Sequence, residues 1–227
     1  GLNALHILWQ WAGKSRTLFW IIILALCLRL ITAIALHVFL PINGYPDSEQ
    51  QQAGYVFHDA FRRDTAAYDL AQSDAPLITA FSQKDHTDQY GGMLAFSAGV
   101  YRYLSSDAHR PLLISLFATF AATLGIPFFW MAAKELGGEK LAHIATWIFA
   151  LYPESILMGS SQMREPFLIS LVSLSLWALL AWQKERSPHS PHLQRKWGDA
   201  LQGRGAALGI AFIAMLLIPL TFSITQG

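Results

Sequence analysis

One cysteine in 227 residues and only 14% charged side chains set the first limits on this chain. The lone Cys27 lies inside an apolar run, which excludes an intramolecular disulfide and a cysteine-based zinc site, and leaves the redox compartment unread. A soluble domain carries roughly 25% charged residues. The deficit, with 53% hydrophobic residues, assigns the chain to lipid. A net charge of +1 gives no basic field for nucleic acid and no acidic tail. Also missing are a Walker loop, G-x-G-x-x-G, H-E-x-x-H and G-x-S-x-G, so nucleotide-driven chemistry is not indicated. There is no internal repeat. The opening "GLNALHILWQWAGKSRTLFW" has no initiator Met and no small-residue cleavage site. It reads as an interfacial segment leading into a retained anchor, and the chain as a single membrane domain from the N-terminal part of a longer protein.

A membrane span needs about 20 mostly apolar residues. Five stretches are read as spans: Leu18 to Leu40, Pro111 to Ala133, Leu141 to Met158, Pro166 to Trp182 and Ala206 to Phe222. The second carries no charge. The third meets Pro153 and Glu154, which should kink its outer end. The expected fold class is therefore an all-α polytopic bundle of about five transmembrane helices. Lysine and arginine gather in three alternating segments: Lys14 and Arg16; Lys134 and Lys140 around Gly137-Gly138; and Lys184, Arg186, Arg195, Lys196 and Arg204. The retention of positive residues in the cytoplasm places these inside and the loop 42–110 outside. In that loop two stripes recur at helical spacing, Tyr55, Val56, Phe57, Ala60 and Phe61, then Tyr90, Met93, Leu94, Ser97, Tyr101 and Leu104. Two amphipathic helices lying along the bilayer surface would explain them. The intervening "DTAAYDLAQSDAPLITAFSQKDHTD" has no firm period and is read as a loop with one helical turn. "KERSPHSPHLQRK" is read as a solvated linker.

The stretch "NGYPDSEQQQAGYVFHDAFRR" leaves the first span with Asp47 and Glu49 at the exit. As a structural residue Asp47 would cap the following helix. As a functional one it lies where a lipid-linked substrate presents its polar head, and its carboxylate can take a proton from an attacking hydroxyl. Glu49 is then support or a metal ligand. A second group, in "LYPESILMGSSQMREPF", holds Glu154, Arg164 and Glu165. Arg164 and Glu165 suit either a capping pair outside Pro166 or a phosphate fork with a neighbouring acid; Glu154 or Glu165 would reach Asp47 or a bound cation. Both groups fall on the same side of the membrane. Arg29 would snorkel or pair with another span, and His37 would be a buried hydrogen-bonding residue. His58 and His86 lack metal-ligand spacing, Asp88 reads as a cap, and Gly91-Gly92 would let backbone approach a ligand.

The order of parts, with "LRL" in the first span, "YPDSEQ" opening the outer loop, a charge-free span, "ELGGEKLA" and "ALYPESILMGSSQMREPF", resembles the C-type-fold membrane glycosyltransferases. The nearest likeness is to the bacterial family 39-like enzymes, relatives of protein mannosyltransferases and aminoarabinose transferases, over residues 18–182. The resemblance implies transfer of a sugar from a polyprenyl-phosphate donor, with inversion, to a glycan, lipid or protein acceptor outside a bacterial inner membrane. It implies a catalytic acid at Asp47 with Glu49 second. Glu154, Glu165 and Arg164 would lie near the lipid phosphate, and Mg²⁺ or Mn²⁺ would be held by Asp47 and Glu49. Family members have roughly twice as many spans, and "DQYGGMLAF" stands where relatives carry a proline-rich segment. Two other classes fit the composition: a transporter or flippase for a lipid-linked glycan, and a non-catalytic assembly subunit.

Overall fold

The computed structural model describes residues 2–81 and 91–186, so the expected span at Ala206 to Phe222, the linker after Arg186, and the readings of His86, Asp88 and Tyr90 lie outside the described residues. Among those residues every regular element is helical. They are α1 (Leu2–Trp11), α2 (Arg16–Asn43), α3 (Glu49–Gln52), α4 (His58–Gln72), a 3-10 turn (Leu77–Phe81), α5 (Gly92–Leu104), α6 (Pro111–Leu151), α7 (Pro153–Gly159) and α8 (Glu165–Arg186). Three of them, α2, α6 and α8, are long and apolar enough to cross a membrane. The all-helical membrane class therefore stands, with three such helices among the described residues, which hold four of the five expected spans.

The difference lies largely in α6. Its 41 residues are two helical arms joined at Gly137 (φ −146°, ψ 19°) and Gly138 (φ 75°, ψ −171°), which leave the helical region. The left-handed backbone at Gly138 is one that L side chains rarely adopt. Phe129 and Phe149 stack with ring centroids 4.4 Å apart, whereas 20 residues of straight helix would separate them by about 30 Å. The chain therefore folds back at the two glycines. Trp130 meets His143 at 5.9 Å, and Lys134 reaches Glu139 at 3.8 Å across the turn. The expected span from Leu141 to Met158 corresponds to this returning arm continued by α7. Its length is divided by Tyr152, because Pro153 starts α7 as a new helix.

The bundle has two ends with different chemistry. At the Gly137-Gly138 end, Ser15 caps α2 and hydrogen bonds to His143 Nε2 at 3.2 Å, and Lys184 pairs with Glu135. A core of Leu18, Ile21, Ile22, Ile126, Trp130 and Trp177 closes this half, with α1 laid against it through Leu5 and the Trp11–Trp177 contact. At the other end α4, the 3-10 turn and α5 form a second core of Leu70, Met93, Leu94, Ala98 and Tyr101, which packs onto Ile114 and Phe117 at the start of α6.

Here the sequence reading is corrected. Val56 and Phe57 precede α4, and the stretch read as mostly loop is helical as far as Gln72. The buried face is Ala60, Arg63, Asp64, Ala67, Leu70 and Ala71, whose period was hidden by the two ionised residues in it. Arg102 ends that helix: its guanidinium donates to the carbonyls of Leu70, Ala71, Ser73 and Ala75, the acceptors that a helix C-terminus leaves free.

The fold-back is directly testable. With Cys27 replaced, cysteines introduced at Phe129 and Phe149 should be joined in high yield by a short bifunctional thiol reagent. Absence of that cross-link at full labelling would mean a straight helix.

Candidate functional site

A buried carboxylate organises the loop end. Asp64, 2% exposed, projects from α4 into a space where three other segments converge. Tyr55 Oη donates to Asp64 Oδ2 at 2.6 Å, Tyr101 Oη lies 2.7 Å from both carboxylate oxygens, and His109 Nε2 lies 2.7 Å from Oδ2. A carboxylate can only accept hydrogen bonds, so the Nε2–H tautomer of His109 is the one that would complete the set. The ring of His109 stacks on Tyr68 at 4.5 Å and meets Tyr101 edge-on at 5.1 Å, with 31% of its side chain exposed. Burial, then the Asp64 charge, pushes both tyrosine hydroxyls far above their ordinary range, so both stay protonated donors. Gln162 joins this end to the turn between α7 and α8, donating to the Pro111 carbonyl at 2.8 Å. The sequence did expose one clue to this network: Asp64 falls one helical turn after Ala60 and before Ala67, an acid inside a buried stripe that must find donors.

The residues expected to act divide into two places. Asp47 sits at the exposed tip of the turn from Tyr45 to Ser48, which Gln51 closes by accepting from the Tyr45 amide at 2.8 Å. The N-cap residue of α3 is Ser48, so Asp47 is not its cap. Glu49 is exposed in the first turn of α3. Among the described residues no three His, Cys, Asp or Glu side chains converge on a point that could hold a metal.

Glu154 and Glu165 are brought together. Both line a cavity of about 670 Å³ between the returning arm of α6 and α8, whose other walls include Phe129, Ile148, Phe149, Met158 and Leu168. Asp47, Glu49 and Arg164 are not among its lining residues. Glu165 Oε1 lies 4.0 Å from Arg164 Nε, and its Oε2 is buried without a hydrogen-bond partner. Apart from these acids, Ser155 and Tyr152 are the lining residues with a polar side-chain atom, and the rest are apolar.

Arg29 is the surprise of the membrane half. It is the fourteenth of the 28 residues of α2 and is fully buried. Its Nη1 donates to the Ala25 carbonyl at 3.2 Å and its Nη2 to Ser155 Oγ at 2.9 Å, while Nε has no partner. Pairing with another span was one expectation for it, and the partner is a serine. Gly159 is required beside it, because a Cβ there would lie 2.7 Å from Arg29 Nε. His37 lines a small polar cavity of about 20 Å³ with Ser115, Ser160, Ser161 and Gln162, room for one or two water molecules.

Replacement of the Asp64 donors should loosen the loop end without unfolding the bundle. Tyr55→Phe and Tyr101→Phe should each cost about 1–3 kcal/mol there, read as faster limited proteolysis between α4 and α5. Because the folded protein holds these phenol protons more tightly than the unfolded chain, their contribution is constant below about pH 10 and falls as pH rises further. An alkaline titration of proteolytic resistance should show that loss in the native protein and not in the double Phe variant.

No family model, no curated protein and no solved structure matches this chain.

Proposed function

We propose that the protein is a membrane glycosyltransferase that moves a sugar from a polyprenyl-phosphate donor to an acceptor on the extracytoplasmic face, with inversion. The observation that carries this reading is the apolar cavity with two carboxylates in its wall, Glu154 and Glu165, set among membrane-crossing helices. Ionisable groups at that depth are costly in lipid and mark substrate sites. Apolar walls suit an isoprenoid chain, and carboxylates accept hydrogen bonds from sugar hydroxyls. The resemblance of the sequence to C-type-fold enzymes supports the same chemistry.

In this reading the basic end of the bundle faces the cytoplasm, and α3, α4 and α5 lie outside a bacterial inner membrane. The donor enters between the returning arm of α6 and α8. Arg164, at the outer rim beside Glu165, draws the phosphate head to the site. An acceptor hydroxyl oxygen attacks the anomeric carbon from the face opposite the phosphate. The carbon–oxygen bond to phosphate breaks with its electron pair on the phosphate oxygen, and the hydroxyl proton passes to Asp47. Phosphate is a good leaving group, so one base is sufficient. Closure onto the donor would have to carry the Asp47 turn toward the cavity, and that turn is held by few hydrogen bonds, chiefly from Gln51 and Gln52.

Membranes containing the full-length parent protein and a labelled polyprenyl-phosphate hexose provide the test. Asp47→Asn should lower turnover by about a hundredfold or more at equal expression. Glu154→Gln should lower it while leaving the fold intact, since Glu154 is exposed at the start of α7. Equal turnover in wild type and Asp47→Asn would remove Asp47 from the mechanism. No turnover in any of them would favour a lipid-linked glycan transporter or an assembly subunit.

A further inference from the structure

We propose that Ser155, polarised from behind by the buried Arg29 guanidinium, is an oxyanion-binding group inside the membrane-level cavity, and that its ligand is a lipid phosphodiester with a hydroxyl-bearing head. This deepens the glycosyltransferase reading by locating the phosphate, and rests on it only for the identity of the natural lipid.

The chemistry follows from the hydrogen bonds of one serine. Ser155 Oγ accepts from Arg29 Nη2 at 2.9 Å and donates to no described residue, and Ser155 is one of the residues that line the cavity. A hydroxyl has one proton to donate. With its lone pair engaged by a full cation, that proton is left to bond an acceptor in the cavity, and a charge-assisted chain of this kind favours an anionic oxygen. Arg29 itself is fully buried and has no carboxylate partner among the described residues, and its Nε is unsatisfied. A desolvated cation without a counter-ion costs several kcal/mol. An anion one hydroxyl away would offset part of that cost.

The remaining walls define the rest of the ligand. Phe129, Ile148, Phe149, Leu168 and Ile169 offer only apolar contact, which calls for a hydrocarbon chain. Glu154 and Glu165 would repel a doubly charged phosphate monoester more strongly than a singly charged diester, but accept hydrogen bonds from hydroxyls, and Glu165 Oε2 is buried and unpartnered. One molecule satisfies all three walls: an apolar tail, a singly charged phosphodiester on Ser155, and a polyhydroxyl head toward the two acids. Arg164 is not a lining residue, so the positive potential inside the cavity comes through Ser155 from Arg29. Arg29 is thus a positioning residue, and Gly159 is what lets it approach.

The full chain in amphipol, with radiolabelled lauroyl-lysophosphatidylglycerol against monolauroylglycerol, tests this by equilibrium binding without any transfer reaction. Wild type should prefer the phosphodiester by about tenfold, the effect of one charge-assisted hydrogen bond. Ser155→Ala should abolish that preference and leave the neutral lipid bound as before, and Ser155→Thr should restore it. Ala145→Trp, which fills the cavity, should weaken both lipids, and inorganic phosphate should not compete. An unchanged preference in Ser155→Ala, no preference in wild type, or competition by inorganic phosphate would each overturn the proposal. A preserved preference in a protein that shows no sugar transfer would leave this site standing and count against the transferase reading alone.

Discussion

A guanidinium in the middle of a membrane helix must find hydrogen-bond acceptors within the protein, and much of the bundle is arranged around that requirement at Arg29. Water is absent at this depth, so the acceptors must be protein oxygens. One is the carbonyl of Ala25 in its own helix; the other is Ser155, which belongs to α7 beyond the returning arm of α6. To bring Ser155 there, the chain must fold back at Gly137-Gly138, break at Tyr152 and restart at Pro153. To let the guanidinium lie against α7, residue 159 must have no side chain. The Gly159 carbonyl accepts from Thr119 at 3.1 Å, which ties the same turn to the outgoing arm of α6.

The loop end meets a comparable demand with the opposite charge. Asp64 is desolvated by α4, α5 and the segment before α6, and three donors from three segments repay it. The two buried groups differ in completeness. Asp64 has three partners on Oδ2 and Tyr101 on Oδ1, so neither oxygen is left unpaired, which suits a fixed anchor. Arg29 is left with an unpaired nitrogen and a partner whose own proton is free, which suits a group that waits for a ligand. Between them, Gln162 ties the turn after α7 to the start of α6 and lines the small cavity beside His37.

What was legible in the residues was the burial of long apolar runs and the places where charge interrupts them. The charge-free run after Pro111, the Gly137-Gly138 turn and the break at Pro153 each follow from local chemistry and are present. Glu154 and Glu165 were noticed as acids beside spans, and they do share a cavity. Asp64 is harder to read, because the helix that buries it carries Arg63 and Asp64 in its inner face and so lacks a clean apolar period. The partnership of Arg29 with Ser155 joins residues 126 positions apart, and no spacing rule reaches that far.

The sequence by itself determined the solvent in which this protein folds and the positions where its helices stop, since both depend on side chains read within a single turn or a single run. Only the tertiary structure decided which charge meets which partner. Hydrogen bonds form between atoms within about 3 Å of each other, and such proximity is a property of how the arms of α6, α7 and α8 pack, not of any local pattern.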